Sequence, residues 1–295
     1  MNITTYLHEK KVQIEQGLAQ FMLQPEGLLR DHITAMRYSL FAGGKRVRPV
    51  LCLAVCEALH VDPFPYLSLA CGLECIHTYS LIHDDLPAMD NDELRRGKPT
   101  NHMIYGEAGA ILAGDGLLSF AFELLSRPDT GSLSSHDQLR IVNIIAKAIG
   151  PLGMVGGQAL DMDSEGKSIP FSTLQYLHSC KTGALITASV QTGAIIGRAD
   201  DQQFAALSSY GKQIGLAFQI VDDLLNVEGT TAQLGKAAGS DAEQNKATYP
   251  SFFGVEKTRK LAGEAVDGAI AALSTFDHEA EPLRELARYI YNRKK

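Results

Sequence analysis

The stretch from Tyr66 to Ile82 limits the fold more than any other part of the chain. Leu69, Leu73, Ile76, Leu81 and Ile82 recur at helical spacing, but they spread over several faces instead of forming one stripe. A helix that is apolar around most of its circumference must be enclosed by other helices. A charged side chain within it is costly unless it is paired or metal-bound. Amphipathic stripes elsewhere offer the neighbours: Leu29, Ile33, Met36 and Leu40; Leu139, Val142, Ile145 and Ile149; Leu207, Ile214, Phe218 and Val221; Leu283, Leu286 and Ile290. There is no sustained apolar-polar alternation and no Asn-Gly hairpin signal, so no strand is required. Turn chemistry at Gly43-Gly44, Asp62 to Pro65, Gly97 to Pro99, Arg127 to Ser135, Gly150-Pro151, Ser164 to Pro170 and Gly229 to Gln244 cuts the chain into helix-length pieces. The expectation is one all-α domain over residues 1–295, a single large bundle of about ten or more helices.

Composition narrows the setting. The formal net charge of −7 argues against a chain-wide basic surface, and hence against nucleic acid as partner. The mean hydropathy is −0.04. The most apolar stretch, Gly183 to Gly197, is shorter than the roughly 20 residues a bilayer needs, so no membrane span is expected. No apolar leader opens the chain, and Cys52, Cys56, Cys71, Cys75 and Cys180 are an odd set that reads as free thiols in a reducing compartment, the cytoplasm. The two CxxxC pairs lie in apolar helical pattern with no nearby histidine pair at ligand spacing, which favours buried structural cysteines over zinc.

The enclosed helix ends in His83-Asp84-Asp85, followed by Asp90. Carboxylates this close repel, and one must protonate unless a cation sits between them. A hard divalent ion such as Mg²⁺ resolves the conflict, the alternative being a solvated acidic helix end. A second apolar run, Phe218 to Val221, leads into Asp222-Asp223 and Asn226, with Asp222 and Asn226 sharing a helix face. If the two helix ends face one another, their acids converge on one cavity.

Basic residues flank both. Arg95-Arg96-Gly97 follows the first motif, and Gly43-Gly44-Lys45-Arg46-Val47-Arg48 places three cations on a turn. Carboxylates and guanidinium groups around one cavity suit an anion bridged to metal, and a polyphosphate meets that demand. An ordinary solvated basic turn is the competing reading. Lys181-Thr182, Lys236 and Lys246 are further cations, while Gly156-Gly157-Gln158 and Asp161 offer either a polar site or close helix packing. There is no P-loop, no G-x-S-x-G, no H-E-x-x-H and no G-x-G-x-x-G, and His77 and His83 lie on different helix faces.

The ordered set GGKRVRP, ECIHTYSLIHDDLPAMD, RRG, GGQALD, KTGAL, FQIVDD, LGK and NKATYP, from about Phe41 to Pro250, resembles the short-chain trans-prenyltransferases (polyprenyl synthases), bacterial farnesyl diphosphate synthases most of all. The resemblance implies an isoprenoid synthase-like bundle around a central cavity, 1–295 as a single prenyltransferase domain, and a homodimer. It implies Mg²⁺-dependent condensation of isopentenyl diphosphate with dimethylallyl and geranyl diphosphates, giving farnesyl diphosphate and diphosphate. Asp84 and Asp90 would bind two Mg²⁺ with Asp85 in support, and Asp222 a third. Arg95, Lys181 and Lys236 would grip the allylic diphosphate, with Thr182, Gln219 and Asp161 near the nascent carbocation or metal-bound water. Lys45, Arg48, His77 and Arg96 would hold isopentenyl diphosphate, and Lys246 and Gln158 complete the substrate-binding set. The departing diphosphate would take the proton.

Tyr79 lies five residues before Asp84, about 7.5 Å along a helix, where the family pattern has a floor for a C15 product together with the Pro87-Ala88 insertion. Geranylgeranyl or another short-chain synthase is the runner-up, followed by a non-catalytic prenyltransferase-like subunit. Asn226 departs from the family's second DDxxD motif, so weaker binding of the third metal is expected. The basic tail from Asn292 to Lys295 is expected to be solvated.

Overall fold

A computed structural model describes residues 1–128, 131–228 and 246–293. Around Tyr66 to Ile82 the chain forms the enclosed helix α4 (Leu67–Asp84). Its neighbours are α1 (Ile3–Phe21), α2 (Arg30–Leu40), α3 (Val47–Ala58) and α5 (Asn101–Leu125). A second group comprises α6 (Ser135–Ile149), α7 (Met154–Ser164), α8 (Phe171–His178), α9 (Ala184–Ile196), α10 (Asp201–Glu228), α11 (Tyr249–Ala272) and α12 (Glu281–Asn292). Here α10 packs on α9, α11 and α12, while α9 packs on α3 and joins the two groups. One continuous core runs from Ile14 on α1 to Ile290 on α12, with a smaller cluster around Leu174, Ile220, Leu224 and Tyr249.

The expected cost of charge inside α4 is met by pairing. Glu74, 1 % exposed, accepts from Arg46 Nη1 at 2.7 Å, and Arg46 is itself 2 % exposed. All five cysteines are free and buried, with Cys52 and Cys56 on α3 and Cys71 and Cys75 on α4.

Three expectations are corrected. Leu29 is 66 % exposed because α2 begins only at Arg30, after a 3₁₀ turn. In α6 the buried stripe is Ile141, Ile145 and Ile149, four apart, while Leu139 faces outward at 69 % exposure. Strands do occur: β1 (Leu94–Arg95) and β2 (Lys98–Pro99) form an antiparallel ladder. Arg96 and Gly97 both have positive φ, 55° and 72°, as a two-residue hairpin turn of matching twist demands.

Among the described residues, two segments are long and apolar enough to cross a membrane, α5 and Ser135–Ser164. The second is broken between Ile149 and Met154, so it is not one rod. The first is kinked at Gly106, where φ is 74°, and is partly buried, with Met103, Ile104, Ile111 and Leu112 exposed. Neither shows a membrane span.

Candidate active site

The end of α4 brings the first acids together. Pro87 cannot continue a helix, and the turn after it folds back so that Asp90 N–H donates to the Asp84 carbonyl at 2.9 Å. Burial pushes the Asp84 carboxyl up to about 6, with Asp90 and Asp85 adding to it and Lys181 and Arg95 opposing it. Asp85 is 3 % exposed and accepts from Arg95 Nε at 2.6 Å and Nη2 at 2.5 Å. Its carboxyl is likewise pushed up to about 6 by burial.

The hairpin sends its two arginines apart. Arg95 goes to the acids, also reaching Asp92 at 3.4 Å. Arg96 crosses to the Gly43-Gly44 turn and donates to the Gly43 carbonyl. Gly44 has a φ of 128°, a conformation L side chains rarely adopt, and the Arg96 guanidinium occupies the space a Cβ would take.

The basic turn does not present three cations. Arg46 points inward to Glu74 and to the Leu40 carbonyl at 2.8 Å, leaving Lys45 exposed and Arg48 buried at the start of α3. Burial lowers the Arg48 pKa to about 10, with Glu74 and Asp222 opposing that fall and Arg96 adding to it. Its Nε has no hydrogen-bond partner. His77 sits beside this group, held well below its ordinary pKa by burial and by Arg48, Arg96 and Arg95, so its imidazole is neutral. The turn thus divides into one structural cation and a buried arginine suited to an incoming anion.

Opposite the first acids, a π-helical turn at Ser179–Gly183 joins α8 to α9 and aims adjacent residues in two directions. Lys181 Nζ lies 2.6 Å from Asp161 on α7. Burial pulls its pKa down, but Asp161, Asp84 and Asp90 outweigh that and hold it charged. Thr182 donates to Gln219 Oε1 at 3.0 Å, and Gln219 Nε2 donates to Asp223 at 2.9 Å on α10. Gly157 lets α7 touch this turn, because a Cβ there would strike the Lys181 backbone. Gln158 is buried with both side-chain polar atoms unpartnered. Lys246 lies 3.2 Å from Asp90 and 3.6 Å from Glu165.

The second acid pair is split. Asp223, 3 % exposed, caps α11 by accepting from Tyr249 N–H at 2.9 Å. Asp222, with 43 % of its side chain exposed, accepts from Arg293 Nη2 at 2.5 Å. Arg293 also donates to the Phe218 carbonyl at 2.9 Å and lies 4.0 Å from the Phe218 ring centre. The tail expectation therefore fails at Arg293, which is 8 % exposed. Asn226 is buried at 6 % exposure.

Among the sequence-derived candidates, Asp84, Asp85, Asp90, Arg95, Lys181, Asp161 and Lys246 gather on one side. Thr182 and Gln219 connect them to α10, and Asp222 lies within electrostatic reach of Arg48, whose own neighbours include His77 and Arg96. Tyr79 is buried on α4 below Asp84. Lys236 lies outside the described residues, as do Lys294 and Lys295. Sequence reasoning missed the inward role of Arg46, the cap made by Asp223 and the reach of Arg293. The last contact spans 71 residues, and no local signal announces it. Among the described residues, no three His, Cys, Asp or Glu side chains gather as a closed metal site. What the ring can hold is an anion, gripped by cations on several sides, with carboxylates left to meet it through a cation.

Comparison with known proteins agrees with this chemistry. The polyprenyl synthetase family profile matches residues 31–281. Farnesyl diphosphate synthase of Geobacillus stearothermophilus is 45 % identical over 290 residues, covering 98 % of this chain and 97 % of its own. Geranylgeranyl diphosphate synthase of Cyanophora paradoxa is 47 % identical over 293 residues, covering 99 % and 97 %. Among solved structures, an FPP/GFPP synthase from Zymomonas mobilis superposes with a TM-score of 0.89 at 43 % identity, covering 98 % of this chain and 99 % of its own.

Proposed function

The chain belongs to the polyprenyl synthetase family and is a short-chain trans-prenyl diphosphate synthase, and from that premise we propose that it condenses isopentenyl diphosphate with dimethylallyl and then geranyl diphosphate to give farnesyl diphosphate. The observation that supports the site most is the pair of adjacent residues Lys181 and Thr182. Lys181 is within electrostatic reach of Asp84 and Asp90, and Thr182 bonds into the Asp223 network, so both acid-bearing helices border one space.

Lys181, Arg95 and Lys246 hold the allylic diphosphate, with Lys236 of the LGK motif assigned to the same group by sequence. Each described cation is already charged and paired with a carboxylate, so little reorganises when the anion arrives. Arg48, with its unpartnered Nε, takes the isopentenyl diphosphate together with Lys45, Arg96 and neutral His77. Thr182, Gln219, Asp161 and Gln158 line the space between as polar, uncharged or neutralised groups. The apolar body of α4 keeps water away from the allylic cation. The departing diphosphate is left as the acceptor of the proton that the cation formed on the isopentenyl unit loses as its new double bond forms.

Mg²⁺ fits these residues. Asp84 and Asp90 are crowded carboxylates with, among the described residues, no third acid closing a metal set, and Mg²⁺ is commonly held by one or two carboxylates plus substrate phosphates. Asp222, once free of Arg293, is the ligand offered from α10, which makes three ions the expected number. Bound there, Mg²⁺ would neutralise charge on the leaving diphosphate.

Product length is the finer question, since relatives at 45 % and 47 % identity bear farnesyl and geranylgeranyl names. Tyr79, 5 % exposed and one and a half turns before Asp84, supports a C15 floor. Exposed Met103, Ile104, Ile111 and Leu112 on α5 support a homodimer through that face. The buried free thiols support a cytoplasmic setting. Incubation with dimethylallyl and isopentenyl diphosphates plus Mg²⁺, followed by chromatography, should give C15 as the main product. A main product of C20 would favour the geranylgeranyl reading instead.

A further inference from the structure

His83 is the residue of the first acidic motif for which the reaction has no use. Its imidazole lies in a slot on α5 that exists only because residue 114 is glycine, since a Cβ there would overlap the ring. Nε2 lies 3.1 Å from the Ile111 carbonyl. A carbonyl can only accept, so Nε2 carries the proton and the ring is fixed from that side. Asp115 stands further off, at 3.8 Å. On its other side the imidazole meets Tyr79 one turn earlier on α4, with ring centres 5.7 Å apart and planes at 83°. A backbone carbonyl of α5, the imidazole and the phenol ring thus form one row leading from a helix wall to the floor residue.

The geometry points to His83 as a positioning residue that sets product length by fixing the Tyr79 ring, with Gly114 as the specificity-determining position that admits it. This rests on the floor reading of Tyr79 given above. The pair Tyr79 and His83 is i, i+4 on one helix face, so the ring of one limits the side-chain rotations open to the other. Without the imidazole, Tyr79 can swing into the vacated slot and deepen the cavity below Asp84. An alanine at 114 expels the imidazole from the slot and removes its bond to Ile111.

The test is product-length analysis of Tyr79→Ala, His83→Ala, His83→Phe, Gly114→Ala and the double variant Tyr79→Ala/His83→Ala, at saturating substrates and Mg²⁺. Tyr79→Ala should move the product to longer chains. His83→Ala should raise the ratio of the next-longer product to the wild-type product about tenfold, with the KM for isopentenyl diphosphate unchanged. Gly114→Ala should act in the same direction, and His83→Phe, which keeps a ring edge against Tyr79, should restore the wild-type length. The double variant should match Tyr79→Ala alone, because His83 acts only through that ring. If Tyr79→Ala lengthens the product but His83→Ala does not, the positioning role is overturned and the floor survives. If Tyr79→Ala also leaves the length unchanged, the floor reading and this inference fail together. Should Gly114→Ala fail to fold, His83→Ala, which only removes atoms, decides the matter.

Discussion

At the end of α4, Asp84 and Asp85 follow an apolar run; within α10, Asp222 and Asp223 follow another. In the first pair, the inner acid Asp85 is locked by the Arg95 fork, and the acid beside it is crowded and raised to about 6. In the second, the inner acid Asp223 is a helix cap for Tyr249, and the outer one is held by the chain's own Arg293. Each pair therefore spends one carboxylate on holding its surroundings and leaves one for a ligand. They differ in what surrounds the second carboxylate. Asp84 carries its cost as a raised pKa, while Asp222 is neutralised by a guanidinium.

That contrast can be broken at several points. The largest effect is expected at Asp84, where Asp84→Asn should lower turnover by about 10²–10³-fold, the scale for losing one group aimed at developing charge. Steady-state assay of diphosphate release checks it, and a loss under tenfold would remove Asp84 from the chemistry. Next comes stability at the second pair. Asp223→Ala strands the Tyr249 N–H and the Gln219 amide, and should cost about 2–3 kcal/mol in a denaturant melt. Asp222→Ala, which leaves the buried Arg293 with the Phe218 carbonyl and ring, should cost less, about 1–2 kcal/mol. Equal losses would mean that the division of labour is wrong.

A third test uses pH. A carboxyl raised to about 6 in the folded protein holds a proton between about pH 4 and 6 that the unfolded chain has lost, so stability falls as pH rises through that window and is flat above it. Asp84→Asn removes that slope. Its stability relative to wild type should therefore climb by up to about 2 kcal/mol from pH 4 to pH 6 in metal-free melts. A pH-independent difference would count against the crowded site. The smallest effect is expected at Arg293. Arg293→Gln frees Asp222 and should lower the Mg²⁺ concentration for half-maximal activity by about fivefold, equivalent to about 1 kcal/mol. Asn226→Asp should also lower it, at some cost in stability because position 226 is buried. An unaltered Mg²⁺ requirement in both would leave the second pair without a metal role.

Much of this was legible in the chain. The all-round apolar pattern of α4 dictates a helix enclosed by others, and the need for a charge such as Glu74 to be paired there follows from its burial, though not that Arg46 is the partner. The acid runs and their flanking cations were readable because they are local. What escaped was set by backbone geometry or distance. Arg96-Gly97 makes a hairpin through positive φ at a residue type that gives no warning of it. Arg46 and Arg48 are two residues apart and both buried, yet only Arg46, in a left-handed conformation with φ of 55°, closes on Glu74 by a hydrogen bond, while Arg48 keeps an unpartnered Nε. Leu139 fits a helical spacing, but tertiary packing chose the neighbouring stripe. Arg293 finds Asp222 only because α12 docks against α10.

The central claim is that the acids of α4 and α10 serve one anion. It is tested most directly by a crystal structure with Mn²⁺ and inorganic diphosphate, the metal located by its anomalous signal. A single diphosphate should lie between metal held by Asp84 and Asp90 and metal held by Asp222, with Arg293 displaced. Metal at one acid pair only, with Arg293 still on Asp222 and diphosphate touching a single helix, would contradict it.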